Sequence, residues 1–219
     1  MKAVLFDLDG TLTDPREGIT RSIAHALERM GREPPPLDDL CFAIGPPLRA
    51  SLAKLLGEDR RETVEQALAH YRERFADVGL FENAPYDGIA ELLTALQGSG
   101  TRLFVATSKP LVYADRIVRH FGFDAHFEAV HGCELDGTRE DKRDLLAHLL
   151  ATHAMQGGHD IAMVGDRGVD MSAAKLHGLR GLGALWGYGS RSELLDAGAH
   201  DLAESPEALR TKLVRAHLA

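Results

Sequence analysis

The sequence predicts an α/β protein: a doubly wound, Rossmann-like parallel sheet as the core, with a small helical domain inserted near its start. Two observations carry this. Short, continuous apolar runs recur along the chain with helical segments between them. One stretch, from Asp14 to about Tyr86, holds no strand candidate. Strand alternating with helix is the signature of parallel pairing, because parallel neighbours need a crossover connection.

The first apolar run is Ala3-Val4-Leu5-Phe6, ending at Asp7. A run of this length, without polar alternation, reads as a strand buried on both faces. Similar runs follow at Leu103–Ala106, Phe127–Val130, Ile161–Val164 and Leu182–Leu185, and a weaker candidate at His200-Asp201-Leu202. Between them Pro110 opens a helix to about His120. Leu145, Leu146, Leu149 and Leu150 form a helical stripe between Asp141 and Thr152. Val169–His177 stops at Gly178, a C-terminal signal. Ser190 with Glu193 gives a capping box, and Ser205-Pro206 opens the last helix.

In the inserted stretch, Asp14-Pro15-Arg16-Glu17 is a helix start, and Ile19, Ile23, Ala26, Leu27 and Met30 share a face before Gly31. Further helices are expected from about Pro47 to Leu56 and from about Arg60 to Val78, with Pro34-Pro35-Pro36 and Ala84-Pro85-Tyr86 as stiff linkers. The expected division is a core of residues 1–13 plus 87–219 and a helical cap of residues 14–86.

The formal net charge of −8 argues against a nucleic-acid partner and against a polybasic membrane surface. Cys41 and Cys133 stand far apart, without metal-ligand spacing, so neither a zinc site nor a disulfide framework is expected. The first apolar run breaks at Asp7, which is too early for a secretory leader, and no apolar stretch is long enough to span a bilayer. A cytoplasmic enzyme is the expectation.

In an open parallel sheet, ligands sit beyond the carboxyl ends of the strands. There the chain places Asp7-Leu8-Asp9-Gly10-Thr11, Thr107-Ser108-Lys109 and Gly165-Asp166-Arg167-Gly168-Val169-Asp170, while Lys142 opens the helix before the fourth strand. Gathered carboxylates repel unless a cation lies between them. Mg²⁺ fits that need, taking a few carboxylates together with phosphate oxygens. Lysine and hydroxyl donors suit the remaining oxygens of a phosphoryl group, whose transfer depends on positioning and electrostatics.

These four motifs, in this order, resemble those of the haloacid dehalogenase superfamily, and more narrowly its phosphoglycolate phosphatase-like branch, which carries a helical cap between the first two motifs. The resemblance spans nearly the whole chain. It implies a Mg²⁺-dependent phosphatase, monomer or homodimer, working on a small phosphorylated metabolite through a phospho-aspartate. Asp7 would be nucleophile and metal ligand. Asp9 would be general acid and base, giving the metal its backbone carbonyl. Lys142 would neutralise charge between nucleophile and phosphate. Asp166 would be a further carboxylate ligand, and Asp170 would hold a metal-bound water. Gly10, Thr107, Ser108 and Lys109 would line the phosphate site. Arg49, in the Ile44–Arg49 loop, would pair with a second anionic group of the substrate.

A sugar-phosphate mutase of the same superfamily is the alternative; Gly165 stands where mutase-like relatives tend to carry a second acid. A dehalogenase would not need Asp9, and a receiver-like signalling module would place its aspartate after the third strand. Of the eleven histidines, His25, His70, His120 and His126 show no clustered pattern, and His148 and His153, five apart, read as poorly spaced for shared ligation. Trp186 and Tyr188 read as packing or loop residues.

Overall fold

The computed structural model describes the backbone of residues 1–215 and the side chains of residues 1–213. In chain order the regular elements are β1 (Ala3–Phe6), β2 (Thr13–Asp14), α1 (Arg16–Arg29), α2 (Leu48–Leu56), α3 (Arg61–Arg74), β3 (Ala84–Pro85), α4 (Ile89–Gly98), β4 (Arg102–Pro110), α5 (Leu111–His120), β5 (Ala129–Cys133), α6 (Lys142–Thr152), β6 (Ile161–Gly165), α7 (Gly168–Leu176), β7 (Arg180–Ala184), α8 (Arg191–Asp196), β8 (Asp201–Ala203) and α9 (Pro206–Arg215). They fall into two compact units: Met1–Thr13 with Pro85–Ala219, and Asp14–Ala84.

The first unit holds a parallel sheet in the order β5-β4-β1-β6-β7-β8. The fold class is therefore the doubly wound α/β architecture that the sequence predicts. β1 lies between β4 and β6, so the direction of strand addition reverses around it. Val4, Leu5 and Phe6 are buried completely. Leu5 stands in register with Phe104 of β4 and Met163 of β6. These three pack with Leu145, Leu146 and Leu149 of α6 in one core cluster. Burying each such side chain stabilises the fold by about 1.5–3 kcal/mol. Asp141 caps α6, its carboxylate accepting from the Arg143 N–H at 2.8 Å.

Some boundaries and one element differ from expectation. β5 starts two residues later, at Ala129, and Phe127 instead sets its ring edge-on to Phe6 at 6.3 Å. α4, which the alternation of runs does not single out, buries Ile89, Leu92, Leu93 and Leu96 behind a left-handed Gly88. The third inserted helix leaves α geometry at Arg74, and Phe75–Gly79 continues as a π turn.

The second unit is helical. α1 buries Ile19, Ile23, Ala26 and Leu27. Its Gly18 lies so close to the π turn that an added Cβ would stand 1.9 Å from the Gly79 carbonyl oxygen. Tyr71 and Phe75 stack at 5.1 Å, and Arg74 grips Glu82 through two hydrogen bonds of 2.6 and 2.8 Å.

Candidate active site

β1 ends by delivering Asp7, whose backbone N–H donates to the Val164 carbonyl at 2.9 Å. The chain then turns tightly. Leu12 and Thr13 both donate to the Leu8 carbonyl, at 2.9 and 3.0 Å, and Gly10 takes a φ of 80°, where a side chain would be strained. Leu8 and Leu12 are fully buried and anchor this loop below the site.

Lys142, the first residue of α6, lies 3.0 Å from Asp7 Oδ1 and 2.8 Å from Asp170 Oδ1, and donates to the Ala106 carbonyl at 2.9 Å. Asp166 follows β6, and Asp170 sits in the first turn of α7, accepting from the Arg167 N–H at 3.1 Å. One carboxylate oxygen each from Asp7, Asp166 and Asp170 lie within 4.8 Å of one another, and all three residues are buried. Gly165 makes this possible, because a Cβ there would meet the Asp170 carboxylate carbon at 2.3 Å.

The electrostatics match that crowding. Burial, followed by the charges of Asp7 and Asp170, raises the Asp166 pKa well above the ordinary carboxylate range. Burial pushes Asp170 up to about 6 even though Lys142 pulls the other way. Burial also works against the charge on Lys142, but Asp170 and Asp7 outweigh it and its pKa is raised. The lysine therefore remains charged, and it pairs with two of the three acids.

Asp9 stands apart from that trio. Its Oδ2 is 2.7 Å from the Lys109 Nζ, and its Oδ1 is buried without a hydrogen-bond partner. Burial raises its pKa despite Lys109. Lys109, expected at a phosphate, is thus engaged by Asp9 in this structure. Thr107, Ser108 and Lys109 lie on an irregular stretch of β4: Ala106 pairs with His131 but Pro110 with Cys133, so four steps on one strand match two on the other. Such a bulge re-aims side chains. Thr107 is buried and its Oγ1 accepts from the Lys109 N–H at 3.2 Å, while the Ser108 carbonyl accepts from the Cys133 thiol at 3.0 Å. Arg49 belongs to the helical unit, where Glu65 holds it, Nε to Oε1 at 2.6 Å.

The supports of Asp166 come from Thr11 and from a loop outside the four motifs. Thr11 Oγ1 donates to its Oδ1 at 3.2 Å, and the Tyr188 backbone N–H donates to its Oδ2 at 2.8 Å. The Trp186 indole donates to the Thr11 carbonyl at 3.0 Å, tying the two loops together. The spacing Gly187-Tyr188-Gly189 was the available signal. A Cβ at Gly189 would lie 1.9 Å from the Asp166 carbonyl oxygen, and one at Gly187 2.3 Å from that of Gly10. Gly189→Ala is accordingly expected to lower stability by about 1–3 kcal/mol and to reduce activity with it, as the backbone carrying Asp166 must shift. A thermal melt beside a turnover assay checks this, and an unchanged Tm would count against the packing argument.

A doubly wound sheet with buried carboxylates, a lysine and hydroxyls beyond its strand ends is a class of α/β enzyme built around an anionic group. The chain belongs to the haloacid dehalogenase-like hydrolase family, whose sequence model matches residues 4–184. It is 51% identical over 191 residues to a 5'-nucleotidase of Pseudomonas aeruginosa, covering 87% of this chain and 86% of that one. It is 42% identical over 194 residues to the tyrosine-protein kinase PtkA of Mycobacterium tuberculosis, covering 88% of this chain and 65% of PtkA. The crystal structure of "a predicted phosphatase" from Clostridium acetobutylicum superposes with a TM-score of 0.93 at 38% identity, covering 98% of each chain. Within this family the chain is a phosphomonoester hydrolase.

Proposed function

We propose that the chain is a Mg²⁺-dependent phosphatase that hydrolyses a small phosphomonoester through a phospho-aspartate on Asp7. The observation that carries this is the buried group of Asp7, Asp166 and Asp170 with Lys142 between two of them. The donor set fits the metal. Carboxylate oxygens are hard ligands, and the raised pKa of Asp166 and Asp170 marks negative charge that a divalent ion would relieve. Asp7, Asp166 and the Asp9 backbone carbonyl would hold the ion, with Asp170 alongside. When bound, it would neutralise phosphate charge and help to align the ester.

The residues then divide the work. A carboxylate oxygen of Asp7 attacks phosphorus, and the bond from phosphorus to the ester oxygen breaks. Asp9, whose raised pKa favours a proton, donates it to the leaving oxygen. Asp9 next takes a proton from water as that water attacks the aspartyl phosphate. The bond from phosphorus to Asp7 breaks, and inorganic phosphate leaves. Lys142 offsets charge as the anionic nucleophile approaches an anionic phosphate, and Thr107 with the Ser108 N–H binds the phosphoryl oxygens. The helical unit, residues 14–84, is read as the cap that selects the rest of the substrate, because the core residues address only the phosphate. Nucleoside 5'-monophosphates stand first among candidate substrates, by kinship with the 5'-nucleotidase; phosphoglycolate and sugar phosphates follow.

The test is phosphate release from nucleoside monophosphates, phosphoglycolate, sugar phosphates and p-nitrophenyl phosphate, with Mg²⁺ and with chelator. Mg²⁺-dependent release from at least one ester is expected. Equal release with chelator would remove the metal from the proposal, and no release from any ester would remove the phosphatase.

A linked expectation concerns stability. A carboxyl whose folded pKa is raised keeps its proton between about pH 4, where the unfolded chain loses it, and its folded value; across that window stability falls as pH rises. For Asp170 the upper limit is about 6. Mg²⁺ competes with those protons. Added Mg²⁺ should therefore raise Tm clearly at pH 7.5 and much less at pH 5. Thermal melts with and without the ion read this directly, and a shift independent of pH would argue that Mg²⁺ binds elsewhere.

A further inference from the structure

Away from the acidic centre, the fold assembles imidazoles that lie apart in sequence. His131 sits in β5, half-buried, opposite Ala106 of β4. His148 is exposed on α6, and His153 is the residue that ends α6, with φ −100° and ψ 15°. The spacing of five between His148 and His153 is poor on a continuous helix, but His153 has already left the helix. His131 and His153 point their Nε2 atoms at each other at 2.9 Å. The His148 ring lies edge-on to His131, with centroids 5.8 Å apart.

Two ring nitrogens at that distance need a proton or a metal ion between them. Burial, with the neighbouring histidines and Arg139 adding to it, pushes the His131 pKa down to about 4, so the ring is neutral at neutral pH. Glu128 Oε1 lies 3.5 Å from the His153 Nδ1, and Arg102 fixes that carboxylate through bonds of 2.7 and 2.6 Å. A carboxylate on the Nδ1 side favours the tautomer whose Nε2 lone pair is open to a ligand, the usual support of a metal-ligating histidine. The ring of His153 is further fixed against Phe104 at 4.6 Å. Two imidazole nitrogens bound to one ion at about 2.0–2.1 Å stand about 2.9–3.3 Å apart with both rings aimed at the ion; here the rings face each other almost in line, with centroids 5.1 Å apart, so holding an ion requires each ring to turn toward it.

We infer that His131 and His153, with His148 as a third donor able to swing in from the surface, form a binding site for a borderline divalent cation of the Zn²⁺, Ni²⁺ and Cu²⁺ group. Imidazole donors select these ions, whereas the all-oxygen centre suits Mg²⁺. The two sites are thus separable by ion type.

The experiment is a Cu²⁺ titration of the full chain in excess Mg²⁺, followed by electron paramagnetic resonance and by competition with Zn²⁺. We expect one Cu²⁺ per chain, hyperfine splitting from at least two nitrogens, and displacement by Zn²⁺. His131→Asn and His153→Asn should each weaken binding at least about tenfold. His159→Asn should leave binding unchanged; its ring meets His200 at 5.0 Å, another histidine pair among the described residues near enough to mimic the signal. His148→Asn, a surface change, should weaken binding less and serves as the deciding variant if His131→Asn does not fold. A spectrum without nitrogen splitting would overturn the inference, because the two rings then share only a proton. So would splitting that survives in His153→Asn and His148→Asn, or that disappears in His159→Asn.

Discussion

Asp7→Asn protein is expected to release phosphate at least about 10³-fold more slowly than the parent chain, with little change in Tm. The amide occupies the same volume. Its oxygen can still accept from the Leu8 N–H, as Asp7 Oδ1 does at 2.8 Å, and can still face Lys142. The substitution therefore removes nucleophilicity and one negative charge while leaving the packing in place. A 10³-fold loss corresponds to about 4 kcal/mol of barrier, within the range for loss of a covalent route. The phospho-aspartate itself can be read independently of rate: rapid quenching during turnover, borohydride reduction and peptide mass spectrometry should locate a reduced residue at Asp7. A modified residue elsewhere, or turnover of Asp7→Asn within tenfold of the parent, would falsify the assignment of the nucleophile.

Asp7 was legible from sequence for a physical reason. A strand buried on both faces has to be apolar along its whole length, so the first acid after the run marks the carboxyl end of the strand. Asp166 was legible in the same way. Lys142 needed order along the chain as well, because lysines at helix starts are common and only its place before the fourth strand sets it apart. Other features depend on tertiary structure. The four-against-two pairing of β4 and β5 that displaces Thr107–Lys109 has no local signature beyond Gly132, where a Cβ would stand 2.5 Å from the Lys109 carbonyl oxygen. The late start of β5 follows from the preference of Phe127 for the face of Phe6 over the ladder. The Lys109–Asp9 pair and the Thr11–Asp166 bond join residues whose meeting is set by two separate turns. The meeting of His131 with His153 arises because α6 ends one residue before the second of them.

Lys142→Met is expected to cost both activity and stability, and to divide them by pH. The lysine is buried and is the positive partner of Asp7 and Asp170. Methionine fills most of the volume but leaves those carboxylates without compensation. Removing one member of a buried ion pair typically destabilises by about 3–5 kcal/mol at a pH where the others remain charged. The carboxyls have an escape, which is to keep their protons. Asp170 already sits near 6 with Lys142 pulling it down, so the substitution moves it higher. A raised folded pKa brings stability that is complete at low pH and is lost as pH rises, so the variant should lie closer to the parent at pH 5 than at pH 7.5. Mg²⁺ should recover part of the loss at the higher pH, since it supplies positive charge to the same oxygens. It should not recover turnover, because protons or metal restore the resting charge balance without restoring a cation between nucleophile and phosphate. Lys142→Arg keeps the charge with a different shape and separates the two effects: it should melt nearer to the parent than Lys142→Met does while remaining slow. Equal destabilisation of Lys142→Met at both pH values would show that its stability loss comes from packing and not from charge.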